Sequence, residues 1–128
     1  SDITVVEQEG TGLVPLIESN NIYSSEMRQL LQKLLTPMTQ KNIDHLVLGC
    51  SHYPYLIQQI KTLIGSEVTI IDSGFAVARQ TEKILIQKKL LSNRTTIGNH
   101  QLFTNQNVKI LASFVQNKPY TIVKHLDF

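Results

Sequence analysis

The sequence predicts an α/β fold built on an open, mostly parallel β-sheet that is flanked by helices. Short apolar runs, typical of buried strands, alternate along the chain with segments of helical periodicity. The central runs are apolar at every position, as expected of parallel strands that helices cover on both faces. The chain has 128 residues, 41% of them apolar, which is enough to form the core of one ordinary domain.

The first half of the chain contains two predicted strands with a helix between them. The first strand covers residues 3–6 and the second covers residues 46–48. Ser24 or Ser25 can cap the helix, and Pro37 should end or kink it because proline lacks a backbone N–H. The apolar residues of this helix recur alternately three and one positions apart, at Met27, Leu30, Leu31, Leu34, Leu35 and Met38.

The second half continues the alternation of helices and strands. Pro54 suits the first turn of a helix that should stop near Gly65. The remaining predicted elements are a strand at 68–71, a helix at about 75–91, a strand near 102–103, a helix near 108–115 and a strand near 121–124. The resulting order, β-α-β-α-β-α-β-α-β, is typical of an open parallel sheet.

Charge and cysteine content exclude several classes of function. The 12 basic and 10 acidic side chains are scattered along the chain, so the net charge of +2 gives no case for a nucleic-acid partner. The single cysteine excludes an internal disulfide framework and a zinc cluster, and we expect no metal site. A lone thiol fits a reducing compartment.

The sequence carries no signal for membrane insertion or export. No apolar stretch approaches the ~20 residues that cross a bilayer. The N-terminus lacks the basic and apolar regions of a signal peptide, so we expect a cytoplasmic location. It also lacks an initiator Met and enters a strand-like run almost at once, from which we expect that the chain was cut out of a longer one.

Two polar clusters follow predicted strands directly. Cys50-Ser51-His52 comes after the strand at 46–48, and Asp72-Ser73 comes after the strand at 68–71. In parallel sheets ligands bind beyond the carboxyl ends of the strands. The sequence therefore predicts a binding or catalytic site at this edge of the sheet.

The chemistry of this predicted site depends on Cys50, which lies between a strand and the start of a helix. The positive end of a helix dipole stabilises a thiolate, and free backbone N–H groups there can hold a carboxylate. His52 can exchange protons with the thiol or with a substrate amine, and the Ser51 hydroxyl can bind a carboxylate. The alternative is an inert, packed cysteine, which is common in parallel strands, and the residues alone leave both interpretations open.

The run Gly49-Cys50-Ser51-His52-Tyr53-Pro54 resembles the second catalytic-cysteine motif of cofactor-independent glutamate racemases, which usually have Thr at the position of Ser51. Other segments similar to that family lie at residues 14–18, 44–48, 70–74, 78–79 and 123–125. The related aspartate racemases tend to carry an acidic residue at the position of His52, so the resemblance favours glutamate over aspartate.

The resemblance implies a racemase-type fold with flavodoxin-like layering and a reaction without pyridoxal phosphate, metal or another cofactor. In the reaction that the resemblance implies, one cysteine removes the Cα proton of glutamate and a second cysteine returns a proton from the opposite face. This reaction supplies D-glutamate for bacterial peptidoglycan. By motif match Cys50 is the second of these thiols and His52 its assisting acid or base. Ser51 stands for a substrate-contacting threonine, and Glu18 matches an acidic residue that tunes the site.

The resemblance covers only the C-terminal half of such an enzyme. The motifs of the first half, including the one with the other thiol, are absent, so we expect this chain alone to be inactive. Residues 1–73 then belong to the second α/β domain, and residues 74–128 return to pack with the missing N-terminal half. Without that partner the chain should expose apolar surface and associate with itself, for example as a homodimer.

Several features have other interpretations that the sequence leaves open. The chain could be an aspartate racemase, another Cys-His enzyme with Cys50 as nucleophile, or a non-catalytic α/β binding module. Glu18 lies in a predicted turn, where a solvated carboxylate is common, and Asp72 or Ser73 can cap the next helix. Residues 10–12, Gly-Thr-Gly, are too short for a nucleotide-binding fingerprint and predict a turn.

Overall fold

A computed structural model describes residues 3–115 and 118–128 of the chain. The helices are α1 (Leu13–Glu18), α2 (Ser25–Thr39), α3 (Ile57–Ile64), α4 (Gly74–Gln87) and α5 (Val108–Val115), and a 3₁₀ turn at Tyr53–Leu56 precedes α3. The strands are β1 (His45–Val47), β2 (Thr69–Ile71), β3 (His100–Thr104) and β4 (Thr121–His125). Parallel strands flanked by helices confirm the predicted α/β class.

The chain divides into two compact units, the first ending at Ile84 and the second beginning at Leu85. In the first unit β1 pairs in parallel with β2, and Leu46 lies opposite Ile70. Helix α2 packs against both α1 and α3. Burying one large apolar side chain stabilises a fold by about 1.5–3 kcal/mol. The buried apolar residues are Leu13, Ile17, Met27, Leu31, Leu35, Leu46, Leu48, Leu56 and Ile60.

The second unit is a smaller β-α-β arrangement. Strands β3 and β4 are parallel, with His100 opposite Thr121 and Thr104 opposite His125. Helix α5 packs against β4. None of the residues of α5 is buried, so this unit contributes little to the core in the part of the chain that the structure describes.

Strand β1 is buried on one face only. Leu46 and Leu48 are in the core, whereas Val47 is 68% exposed and Ile71 of β2 is 43% exposed. The prediction that helices cover both faces is therefore wrong for these strands, because the side chains of Val47 and Ile71 on the second face remain exposed. The other face is an apolar surface in contact with solvent.

The predicted strand at residues 3–6 is not formed. These residues have no regular secondary structure, and they line a cavity of about 1050 Å³ together with β1. A strand needs backbone hydrogen bonds to a neighbour, and within the described part of the chain β1 pairs with β2 and not with this segment. The prediction of a strand at residues 3–6 is therefore wrong.

Pro37 does not end α2, which continues to Thr39. The missing proline N–H falls in the last turn, and the helix still closes with a hydrogen bond of 3.0 Å from the Gln40 N–H to the Thr36 carbonyl. Ser24 is the N-cap, since its Oγ accepts a hydrogen bond of 3.1 Å from the Met27 N–H. The capping prediction is confirmed, and the structure selects Ser24 over Ser25.

Two other helix boundaries differ from the prediction. The predicted turn before Glu18 is the short helix α1, which forms because Leu13 and Ile17 are buried on one of its faces. Helix α4 ends at Gln87 rather than near residue 91. Lys89 has a φ of 57°, and the Leu90 N–H bonds back to the Leu85 carbonyl at 2.8 Å. This left-handed residue stops the helix.

Among the helices that the structure describes, none has the length and apolar character needed to span a bilayer.

Candidate active site

The candidate site lies on the turn that leaves β1. The parallel ladder extends one residue past the strand, through a hydrogen bond of 2.9 Å from the Leu48 N–H to the Ile71 carbonyl. The backbone then turns at Cys50, whose carbonyl accepts a hydrogen bond of 3.2 Å from the Tyr53 N–H. The 3₁₀ turn with Pro54 in its first positions follows and opens α3, as the sequence predicted.

His52 lies between the thiol and a carboxylate. The Sγ atom of Cys50 is 3.8 Å from Nδ1 of His52, and Nε2 of His52 is 3.1 Å from Oε1 of Glu18. A carboxylate only accepts hydrogen bonds, so the Nε2 atom carries the proton that is donated to Glu18. In the neutral imidazole Nδ1 is then the acceptor and faces the thiol. The arrangement is suited to moving a proton between Cys50 and His52.

The structure brings Glu18 to this site from 34 residues away in sequence. Glu18 is the last residue of α1, and its side chain is 41% exposed, against 27% for His52. Ion pairs this accessible to solvent contribute only about 0–1 kcal/mol to stability. The contact matters more for fixing the orientation and the tautomer of His52 than for holding the fold together.

Ser51 and Asp72 occupy different positions around the site. Ser51 is exposed on the turn between Cys50 and His52. The Oδ1 atom of Asp72 accepts a hydrogen bond of 2.8 Å from the Gly74 N–H, at the first residue of α4. This contact confirms the prediction that Asp72 or Ser73 caps the following helix, and it gives Asp72 a structural role.

Tyr53 is a residue of the site that the sequence analysis did not single out. Its hydroxyl lies 3.5 Å from the carbonyl oxygen of Gly10, which belongs to the predicted Gly-Thr-Gly turn. Burial raises the pKa of the Tyr53 phenol above its usual 10.0, and the negative charges of Cys50 and Glu9 raise it further. No sequence signal links positions 10 and 53, because the two are distant along the chain.

The large cavity of the first unit is not the environment of the thiol. Its lining includes Gly49 and Tyr53 and is otherwise mostly apolar, from α2, β1 and the N-terminal segment. Cys50 and His52 lie outside this lining. Within residues 3–115 and 118–128, no group of three His, Cys, Asp or Glu side chains could hold a metal ion.

Comparison with known proteins gives consistent matches in sequence and in structure, although no protein-family model matches the chain. A glutamate racemase of Pseudomonas syringae pv. tomato is 42% identical over 93 residues, which are 73% of this chain and 34% of that protein. A glutamate racemase of Herpetosiphon aurantiacus is 38% identical over 104 residues, 81% of this chain and 41% of that protein. The chain therefore spans well under half the length of these relatives.

Two solved structures share the fold over almost the whole chain. The glutamate racemase isoform RacE1 of Bacillus anthracis superposes with a TM-score of 0.79 at 28% identity, covering 94% of this chain and 46% of that one. The glutamate racemase of Francisella tularensis, solved in complex with D-glutamate, gives a TM-score of 0.75 at 19% identity with the same coverage. In both cases the matched region is somewhat less than half of the solved chain.

Proposed function

We propose that this chain, which matches the C-terminal part of glutamate racemases in sequence and fold, supplies one of the two acid–base thiols of such an enzyme. The observation that carries the proposal is the contact series from the Cys50 thiol through His52 to Glu18. The relatives and the solved neighbours, one of them holding D-glutamate, support glutamate as the substrate.

The proposed reaction inverts the Cα centre of glutamate by proton transfer alone. His52 takes the thiol proton on Nδ1, and the resulting imidazolium is stabilised by the Glu18 carboxylate. The Cys50 thiolate then removes the Cα proton from one face of the substrate. In the reverse direction the Cys50 thiol donates a proton to that face, and His52 supports both steps.

Inversion also needs an acid or base on the opposite face of the same carbon. Cys50 is the single cysteine of the sequence, so the second thiol has to come from another polypeptide segment. We assign it to the N-terminal half of the complete enzyme, which is the missing partner expected from the sequence. The isolated chain is then inactive, and the complete protein supplies D-glutamate for bacterial peptidoglycan in the cytoplasm without a cofactor.

The same half of the enzyme is proposed to cover much of this chain. Helix α4 has no buried residue and exposes Phe75, Val77, Ile84 and Ile86. Phe75 and Ile86 lie on one side of the helix and Val77 and Ile84 on the opposite side, and extensive exposed apolar surface marks contacts with other protein segments. This supports the division expected from the sequence, in which residues 1–73 form part of one domain and residues 74–128 pack with the missing half.

The test is racemisation of glutamate by the complete protein, followed by circular dichroism. Cys50→Ser should abolish the reaction, and His52→Asn should slow it by about 10²-fold, because general acid–base groups contribute about 10²–10⁴-fold. His100→Asn, a change in β3 of the second unit, is the matched control and should leave the rate unchanged. A complete protein that leaves both glutamate enantiomers untouched would contradict the proposal, and racemisation of aspartate instead would move it to the related substrate.

The contact series also fits a second candidate function. A thiol, an imidazole and a carboxylate in sequence are the arrangement of a cysteine nucleophile with its base and orienting group. Such an enzyme would form a covalent acyl intermediate on Cys50, visible by mass spectrometry, and glutamate would not slow the labelling of the thiol. A Cys50 thiol that no reagent reaches in the folded complete protein would instead indicate a non-catalytic binding module.

A further inference from the structure

The contact between Gly10 and Tyr53 joins the two segments that form the candidate site. The Gly10 carbonyl accepts a hydrogen bond of 3.2 Å from the Leu13 N–H, at the first residue of α1. The same carbonyl lies 3.5 Å from the hydroxyl of Tyr53, the residue that follows His52. One carbonyl oxygen thus contacts both the start of the helix that carries Glu18 and the turn that carries Cys50.

The contact depends mainly on packing. A distance of 3.5 Å is long for a hydrogen bond between a hydroxyl and a carbonyl, so the hydroxyl contributes little. The close approach of the ring is possible because residue 10 has no side chain. A Cβ at Gly10 would overlap the Tyr53 hydroxyl, and would lie 2.8 Å from Tyr53 Cζ and 3.0 Å from Leu13 Cδ1.

Short stretches of chain connect the Gly10–Tyr53 contact to Glu18 on one side and to His52 on the other. Two residues separate Gly10 from α1, and α1 ends at Glu18 after 6 residues. Tyr53 is adjacent to His52 in sequence. A displacement of Gly10 relative to Tyr53 therefore moves the Glu18 carboxylate relative to the His52 imidazole, whose present separation is 3.1 Å.

We propose that Tyr53 is a positioning residue: its ring, packed on Gly10, holds α1 against the Cys50 turn and thereby sets the contact between Glu18 and His52. A catalytic role for Glu18 and His52 rests on the proposed function. Their positioning by Tyr53 is a property of this chain alone.

The single cysteine makes the test direct, since iodoacetamide labels only Cys50 in this chain. The measurement is the rate of labelling between pH 5 and pH 9 for the variants Gly10→Ala and Tyr53→Leu. Both displace or remove the ring, weaken the support of His52 by Glu18, and should move the rate profile to higher pH. We expect labelling at pH 7 to slow by up to about five-fold, the limit for losing a solvent-accessible charged pair. Tyr53→Phe keeps the ring and should shift the rate profile along the pH axis by less than half of the shift that Tyr53→Leu causes.

Matched controls separate this effect from general damage. Gly98→Ala places a methyl group where, apart from the adjacent residues, no atom of the described chain lies within 4 Å, and Tyr23→Phe alters a tyrosine that is 80% exposed. Both should keep the parent profile. If Gly10→Ala does not fold, as judged by circular dichroism, Tyr53→Leu carries the test.

The decisive comparison uses Glu18→Gln. This change removes the charged contact itself, so adding Gly10→Ala or Tyr53→Leu to it should cause no further shift of the profile. The proposal would be overturned if Gly10→Ala or Tyr53→Leu shifted the profile by the same amount with and without Glu18→Gln. It would also be overturned if these variants folded and kept the parent profile. The outcome does not depend on racemisation by the complete protein, so the failure of one proposal is distinguishable from the failure of the other.

Discussion

At the scale of single residues, the candidate site combines contacts of very different sequence separation. Cys50 and His52 are two positions apart, so their proximity was predictable from the motif alone. Glu18 lies 34 positions from His52 and was assigned only through the family resemblance. The contact of Gly10 with Tyr53 spans 43 positions and was not predicted. Local chemistry can be deduced from sequence, whereas these longer contacts depend on how α1 packs.

The environment of Tyr53 also predicts how stability changes at alkaline pH. The folded phenol has a pKa above 10.0, mainly because it is partly buried. Above pH 10 the unfolded chain has therefore lost this proton while the folded chain retains it, and the free energy of unfolding falls as the pH rises. Tyr53→Phe should make that fall less steep, in urea unfolding measured at pH 9, 10 and 11.

Tyr23→Phe provides the comparison for this experiment, since Tyr23 is 80% exposed and should keep the parent slope. Equal slopes for the parent and for Tyr53→Phe would show that the phenol of Tyr53 titrates alike in the folded and unfolded states.

At the scale of elements, the helices and strands that were predicted correctly are those with a strong local sequence signal, such as an apolar stripe or a capping residue. Helix α2 has an apolar stripe and a serine cap, and both are present in the structure. The strand at residues 3–6 had an apolar pattern but lacks a hydrogen-bonded neighbour, which no local pattern reports. The end of α4 is set by Lys89 in the left-handed region, a conformation that is uncommon for lysine and has no sequence signal.

The N-cap of α2 gives a prediction for this scale. Ser24→Ala removes the oxygen that accepts the Met27 N–H and should lower the free energy of unfolding by about 1 kcal/mol. Ser25→Ala is the matched control, because Ser25 is the exposed first residue of the helix. It should change stability by less than about 0.5 kcal/mol. Equal effects of the two changes in urea unfolding would contradict the assignment of the cap.

At the scale of the whole molecule, many large apolar side chains of the described residues are exposed to solvent rather than packed in the core. Val47 of β1 is 68% exposed and Phe75 of α4 is 72% exposed, and neither α4 nor α5 has a buried residue. The two solved neighbours are more than twice as long as the region that this chain matches. These observations agree with the proposal that another polypeptide segment covers these apolar faces.

The isolated chain should therefore associate with itself. We expect light scattering coupled to size exclusion to give a mass above that of one chain, increasing with concentration. Val47→Lys places a charge on the exposed face of β1 without touching the core, and should reduce both the association and the binding of an apolar dye. A monomer at all concentrations that binds no dye would contradict the proposed covering of these faces.

The short span of the contact series has a consequence for how such a site can be inherited. Gly10, Glu18, Cys50, His52 and Tyr53 all lie within one continuous stretch of 44 residues, from position 10 to position 53. A gene fission, fusion or circular permutation with its breakpoint outside that stretch leaves the thiol, the imidazole, the carboxylate and the Gly10–Tyr53 contact on the same polypeptide. On the proposed function, one half of the acid–base chemistry is then inherited as a single unit.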